Sequence, residues 1–314
     1  MYYIGIDLGG TNVAAGITDE KGVLLAQGSV PCPRGDEAIA DAIAEAARLV
    51  VGQAGAALSG VASMGLAVPG TFDPDAGMVF RAVNLGLENV PLGPMLRERL
   101  GIPVVLENDA NAAALGEFVA GAGQGYRSLV AVTLGTGIGG GAVLEGKLYT
   151  GFNSAALEVG HTVIRRDGRQ CNCGRKGCWE TYASATGLIR STREAMTAHP
   201  ESLLWKLAPT LEDVNGKTPF DAAQAGDSVA RAVVNEYVED LACGITNLIN
   251  LLQPEVLCVS GGVSKQGEAL LAPVRAILDR EEMTRSAVRR TKVCLAQLGS
   301  EAGTVGAAMV PLYR

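Results

Sequence analysis

Residues 161–180 read HTVIRRDGRQCNCGRKGCWE and gather His161, Cys171, Cys173 and Cys178 into eighteen positions. The chain has one other histidine and four scattered cysteines. Three thiolates and one imidazole, in the order His-x9-Cys-x-Cys-x4-Cys, form the donor set of a Cys3His zinc site. Four protein donors fill a tetrahedral shell and leave no position for water, so the metal is expected to be structural. A disulfide fits poorly with the reducing cytoplasm expected for this chain, and free thiols are the other alternative. The intervening RDGRQ and GRKG are loop-like and are expected to have little fold without a staple. Glu158 and Glu180 flank the cluster, where an ordered loop would fix both carboxylates; as ordinary surface acids they would do nothing.

Two glycine turns come next. DLGGTN (7–12) and TLGTGIGGG (133–141) each follow an apolar strand and precede another. Such turns expose several backbone N–H groups, and glycine lets phosphate oxygens approach them. Asp7 is placed to hold a Mg2+ water. Gly9 and Gly10 open the first turn, and Thr11 and Asn12 offer side-chain donors. Thr133, Gly135, Thr136 and Gly137 do the same work in the second. Gly135, Gly137 and Gly140 also satisfy G-x-G-x-x-G, but a dinucleotide fold needs a helix next, and AVLEGKLY reads as a strand. Each turn alone could be a plain hairpin; the pair, with GGVS at 261–264, favours phosphate binding.

ENDANAAALGE (107–117) places Asn108 and Asp109 where a strand meets a helix. Asp109 is a good N-cap. It is equally a carboxylate at the C-terminal end of a strand, where α/β proteins bind ligands. The residues alone leave both readings open.

The surrounding elements must hold these groups. Strands are read over 3–9, 12–19, 23–30, 61–70, 102–109, 255–262 and 291–299. A helix over 36–55 is opened by Asp36, a short one ends at Gly101, and another spans 110–121. Residues 227–252 carry apolar positions every three or four residues, the signature of a long helix, with Asp227 or Ser228 at its start. The C-terminal stretch is expected to be a helix capped by Ser300. The strand–turn–strand echo of residues 7–12 and 133–141 suggests two similar α/β domains facing across a cleft.

The chain has 314 residues, 48% hydrophobic and 19% charged, enough for a sizeable core in about two domains. Its 41 glycines exceed an expectation of about 22 and cluster at turns. The net charge is −7, with no basic stripe, which argues against nucleic acid as a partner. No apolar run approaches the roughly 20 residues that span a bilayer, and MYYIGIDLGG lacks the form of a signal peptide.

DLGGTN, ENDAN, TLGTGIGGG, a Glu-x-Gly-His at 158–161, CxCGxxGCxE and a late SGGV occur in one order along the whole chain. In this set the sequence resembles the ROK family of bacterial sugar kinases and repressors, its glucokinases above all. The resemblance implies an actin-like ATPase fold, of the ribonuclease H-like kind. A smaller domain of residues 1–118, rejoined by a helix over 300–314, would face a larger one of residues 119–299. It implies ATP-dependent phosphorylation of a hexose, glucose foremost, with Mg2+ and structural Zn2+, in a cytoplasmic homodimer. It makes Asp109 the base, and assigns sugar contacts to Asn84, Asn108, Glu158, His161 and Glu180. The two glycine turns take the ATP phosphates, and Gly261 and Gly262 the adenosine side. The family commonly has glycine where this chain has Ser154 and Leu157, which bears on the choice of sugar. N-Acetylmannosamine, N-acetylglucosamine, allose and fructose are the alternative acceptors, and polyphosphate an alternative donor. A sugar-sensing repressor is the second class; its DNA-binding helix-turn-helix is not expected, since DLGGTN begins at residue 7. A third class, an ATPase or binding module without transfer, is opposed by the paired Asn108 and Asp109.

Overall fold

The computed structural model describes all 314 residues. Its strands are β1 (Tyr2–Leu8), β2 (Asn12–Thr18), β3 (Leu24–Pro31), β4 (Val61–Val68), β5 (Thr71–Asp73), β6 (Met78–Ala82), β7 (Leu87–Val90), β8 (Val104–Asn108), β9 (Leu129–Leu134), β10 (Ile138–Leu144), β11 (Lys147–Leu148), β12 (Val256–Gly261) and β13 (Lys292–Leu295). The helices are α1 (Asp36–Gln53), α2 (Leu92–Leu100), α3 (Asp109–Ala120), α4 (Glu180–Ala183), α5 (Ala185–Ala198), α6 (Leu204–Leu207), α7 (Thr218–Gln224), α8 (Ser228–Leu252), α9 (Glu268–Glu281) and α10 (Ala302–Tyr313). Two compact units result: residues 1–131, 141–157 and 296–314 form one, and residues 132–140 and 158–295 the other.

The first unit is built on a sheet of order β3-β2-β1-β4-β8. β1 pairs antiparallel with β2 and parallel with β4, which pairs parallel with β8. Ile4, Ile6 and Leu8 of β1 share one buried cluster with Ile39, Ile43 and Val50 of α1. Neighbouring side chains on a strand point to opposite faces, so Gly5 looks away from α1. It looks at α10. A Cβ on Gly5 would overlap the carbonyl of Thr304, and one on Gly65 that of Ala307. Gly16, Gly5 and Gly65 lie in register across β2, β1 and β4. The row is a trough in which the α10 backbone rests.

The second sheet has the order β11-β10-β9-β12-β13. In the second unit α8 buries Val233, Tyr237, Leu241, Ile245 and Leu248, the stripe expected from the sequence. Asp227 caps it by accepting from the Ala230 N–H at 2.7 Å.

Three local expectations are corrected. α1 starts after Gly35, and Asp36 lies in the first turn without a capping hydrogen bond. Ser300 caps nothing, because a 3-10 turn over Gly299–Glu301 leads the chain into α10. The loop expected after β4 contains a small antiparallel sheet, β5-β6-β7; its strands are too short to show a period of two.

Glu117, nearly fully buried in the last turn of α3, ties the return of the chain in place. Its carboxylate accepts from the N–H groups of Ala122 and Gln297 at 3.0 Å and of Leu298 at 2.7 Å. Removing it strands three backbone donors, one buried and two partly buried, and a buried unmet donor costs about 1–3 kcal/mol. Glu117→Ala is therefore expected to lower stability by about 2–3 kcal/mol, with Glu117→Gln intermediate. Urea unfolding of the two variants checks this; equal midpoints for Glu117→Ala and the parent chain would remove the clamp role.

Candidate active site

Because β1, β4 and β8 run parallel, their C-terminal ends share one edge of the sheet. The register sets Asp7 beside Ala67, Ala67 beside Glu107, and Val68 beside Asn108. Acidic and amide side chains from two strands therefore meet where α/β sheets bind ligands. Burial pushes the Asp7 carboxyl up to about 6, and the Asp109 carboxylate adds to the shift. Gly303, in the first turn of α10, lies directly against Asp7; a Cβ there would come 2.5 Å from its Oδ2.

The two readings of Asp109 are separated by its neighbour. Asn108 is the N-cap of α3, its Oδ1 accepting from the N–H groups of Ala110 at 2.9 Å and Asn111 at 3.1 Å. Asp109 is the first helical residue, and its carboxylate is exposed. Asp109 Oδ1 also accepts from the Ala110 N–H, at 2.9 Å, so the amide takes the cap position and the exposed acid keeps Oδ2 for chemistry. The cap uses only Asn108 Oδ1, so its Nδ2 is still a donor.

In the first glycine turn the Gly9 N–H reaches the Asn12 carbonyl at 3.0 Å, and Gly10, Thr11 and Asn12 are exposed. Asn84 lies beside Gly10, in the 3-10 turn Val83–Leu85. The Arg34 guanidinium donates to the Asn84 carbonyl at 2.9 Å. Arg34 was not singled out from the sequence: PRGD has no periodicity and no motif to mark it.

The second glycine turn belongs to the other unit. The Gly135 N–H donates to the Gly137 carbonyl at 3.0 Å. The hydroxyls of Thr133 and Ser260 lie 2.9 Å apart. Thr136 is exposed. Gly261 has φ +92°, and a Cβ there would overlap the Leu134 carbonyl, so Gly261 and Gly262 lie alongside this turn. β10 follows it, so the turn joins two strands and does not open a helix.

The same unit brings the four predicted metal ligands together. One donor atom each from His161, Cys171, Cys173 and Cys178 lies within 4.8 Å of the others. Cys171 Sγ is 3.7 Å from His161 Nδ1, and Cys173 Sγ is 3.6 Å from Cys178 Sγ. A tetrahedron with metal–sulfur bonds of ~2.3 Å has edges of about 3.8 Å, so the donor set fits zinc. Glu180 joins this cluster to the glycine turn. Its Oε1 is 3.6 Å from Cys171 Sγ and its Oε2 accepts from the Ile138 N–H at 3.1 Å. A side chain on Gly137 would overlap that carboxylate. Glu158 is exposed and its carbonyl accepts from the His161 N–H at 3.0 Å.

The loop has more support than its composition suggests. Trp179 is fully buried and its Nε1–H donates to the Asp240 carbonyl at 2.9 Å. Arg165 grips the Asp240 carboxylate at 2.7 Å, and the Tyr182 ring lies between the guanidinium groups of Arg165 and Arg169. Ser154 and Leu157, just before the loop, have φ +57° and +67°. The backbone keeps the left-handed conformation that glycine suits, with larger residues in it.

The whole chain has recognisable relatives. The model of the ROK family matches residues 3–312. A glucokinase of Thermotoga maritima is 39% identical over 311 residues, covering 98% of this chain and 96% of its own. Among solved structures, a ROK family glucokinase from Streptomyces griseus, in complex with glucose and AMPPNP, is 38% identical, with a TM-score of 0.79 and 98% of each chain covered. A ROK hexokinase from Thermus thermophilus is 36% identical, with a TM-score of 0.83, 99% of this chain and 97% of its own covered. The architecture is the α/β actin-like ATPase fold. With the fold, the ordered motifs and the family model all agreeing from end to end, the chain belongs to the ROK family.

Proposed function

We propose that this protein transfers the γ-phosphoryl group of ATP to a hexose, giving glucose 6-phosphate from glucose. The observation that carries the reading is the exposed Asp109 carboxylate, next to the capping Asn108 and at the same sheet edge as Asp7. The glucokinase relatives, and the glucose and AMPPNP bound to the Streptomyces griseus structure, support the choice of acceptor and donor.

Phosphoryl transfer through a loose transition state needs positioning and charge neutralisation more than covalent chemistry. Asp109 orients the 6-hydroxyl and takes its proton as the new bond forms. Asn84, Asn108 through Nδ2, Glu158, His161 and Glu180 hold the other hydroxyls. The N–H groups of Gly10 and Gly137 face the phosphates, while Gly9 and Gly135, whose N–H groups close their turns, let the phosphates approach the backbone; Thr11, Asn12, Thr133 and Thr136 are side-chain donors. Gly261 and Gly262, which have no side chains, leave room for the adenosine. Mg2+, held through Asp7, supplies positive charge for the phosphates. Zn2+ would be held by His161 Nδ1 and the thiolates of Cys171, Cys173 and Cys178, and with four protein donors it would serve a structural role. His161 then has Nε2 left for a sugar hydroxyl, which lets one residue serve metal and substrate. The protein acts as a homodimer in the reducing cytoplasm.

Asp109→Asn is expected to cut kcat by about 10²–10⁴ and to leave the melting temperature unchanged, since Asn108 still caps α3. A coupled assay with ATP and a hexose panel measures it. Near-normal turnover would show that another group is the base. ATP loss without sugar phosphate would sink the kinase reading itself.

Stripping zinc with a chelator is expected to weaken sugar binding and lower the melting temperature together. Calorimetry and glucose titration on the stripped protein test this. Lost activity with an unchanged melt would mean a catalytic metal.

Asp7 gives a pH prediction. Its folded value of about 6 lies above its ordinary 3.8, so the folded state binds more protons between them. Stability of the metal-free protein therefore falls as pH rises through that window, by ~3 kcal/mol for this group. Asp7→Asn should melt higher at pH 7 while losing Mg-ATP turnover, and the wild-type kcat/KM should fall on the acid side of about pH 6. A wild-type kcat/KM with no acid limb there would contradict the role of ionised Asp7.

A further inference from the structure

Beside Asp109 lies an acid that this mechanism leaves unused. Glu107, the penultimate residue of β8, is 0% exposed. Its Oε1 accepts from the Asn108 N–H and from Asn111 Nδ2, both at 2.9 Å. Its Oε2 has no partner, and neither does Oδ1 of Asn111, which is 1% exposed. Two buried oxygens without donors are costly, and each needs an explanation.

One proton removes the problem. An amide and a neutral carboxylic acid pair through two hydrogen bonds: the amide N–H donates to the acid carbonyl oxygen, and the acid O–H donates to the amide oxygen. The first is the 2.9 Å bond from Asn111 Nδ2 to Glu107 Oε1. The two orphaned oxygens are the groups that the second bond would join, with a proton on Oε2 supplying its donor. An ionised carboxylate offers only acceptors and leaves both unpaired.

The surrounding charges do not favour ionisation strongly. β4, paired to β8, carries no titratable residue over Val61–Val68. α3 brings the acids Asp109 and Glu117. From α2, Arg97 is turned to the Val104 carbonyl and Arg99 is held by Asp41 and Glu37, with Glu98 the remaining acid. From the end of α10, beyond Tyr313, Arg314 is the cation whose charge acts on Glu107; its guanidinium donates to the Leu106 carbonyl at 3.4 Å. Burial outweighs it and raises the Glu107 carboxyl above its ordinary value.

We propose that Glu107 is held un-ionised as half of an acid–amide pair with Asn111, and is a positioning residue for Asn108 and Asp109. The pair fixes the Asn108 N–H from the strand side and Asn111 from the first turn of α3. Cap and base, Asn108 and Asp109, lie in the three-residue span between Glu107 and Asn111 and are then held from both ends without a third negative charge beside Asp7 and Asp109. The kinetic consequence rests on the kinase reading; the protonation state does not.

Infrared spectra of the full-length protein at pH 7, wild type minus Glu107→Gln, should carry the carbonyl stretch of a neutral carboxylic acid. Stability should decline with rising pH in the wild type above the ordinary value of 4.5, and less so in Glu107→Gln, whose amide keeps both bonds. Glu107→Ala should lose about 100-fold in kcat with KM for ATP unchanged, and Glu107→Gln should rescue it. A carboxylate band in place of the acid band overturns the proposal, as does a Glu107→Gln protein no better than Glu107→Ala. Should no sugar be phosphorylated by any variant, the kinase reading fails while the infrared and melting data still decide the state of Glu107.

Discussion

The seat of α10 on the first sheet is the contact on which most of the first unit depends. Gly16, Gly5 and Gly65 form a row across three strands; α10 carbonyls occupy the space that side chains on Gly5 and Gly65 would fill, and the side chains of Thr304 and Leu24 occupy that at Gly16. A similar approach recurs on α3, where Gly116 meets the Ala302 carbonyl and Gly306 meets that of Ala112. Close packing at this density tolerates no added methyl group cheaply. The same seat places Gly303 against Asp7. The acid proposed to hold a cation is thus backed by helix and sheet alike, and burial that raises its proton affinity follows from that placement. The Glu117 clamp on residues 297–298 fixes where the helix begins, so the geometry at Asp7 is set from a point well along the chain.

In the second unit the corresponding role falls to a carboxylate. Glu180 touches a thiol of the metal cluster with one oxygen and the backbone of the second glycine turn with the other. The Cys/His cluster and the second glycine turn are therefore not independent parts. Fixing the thiolates fixes Glu180, and Glu180 fixes the first N–H of β10. The lack of a side chain at Gly137 is a steric requirement of this bond as much as an aid to phosphate. Aromatic and guanidinium groups, Trp179, Tyr182, Arg165 and Arg169, hold the loop against α8 and α5. The sequence marked the metal ligands but not these supports, because a lone Trp or Arg has no spacing to betray its partner.

What was legible followed from periodicity and donor chemistry. The strands around DLGGTN, the α8 stripe and the Cys3His set are local patterns, and each is found where the spacing put it. What was not legible depended on register. Nothing in ENDAN says that Asn108 takes the cap and leaves Asp109 free, since both residue types cap helices well. The distinction comes from where β8 stops, and that is set by its pairing with β4. Arg34, Glu107 and the glycine trough are illegible for the same reason: each has meaning only through a partner far away in sequence. Asp36 and Ser300 show the opposite error, good capping residues placed where the chain already had another way into the helix.

Leu157 is where these constraints meet. The family commonly has glycine there and at Ser154, and the backbone of this chain keeps φ positive at both positions. A non-glycine residue in that region costs of order 1–3 kcal/mol and persists only where its surroundings enforce it. The enforcement can be traced. His161 must present Nδ1 to the thiols, its N–H is held by the Glu158 carbonyl, and Glu158 heads the short turn that ends at His161. The chain entering Glu158 therefore has little freedom, and residue 157 takes whatever φ remains. The hydrogen-bonded turn over 158–161 follows the bend directly, and glycine is the residue that fills such a bend at least cost. A leucine here adds a branched side chain at the residue before the proposed sugar contact Glu158, which makes position 157 a place where the choice of hexose can change.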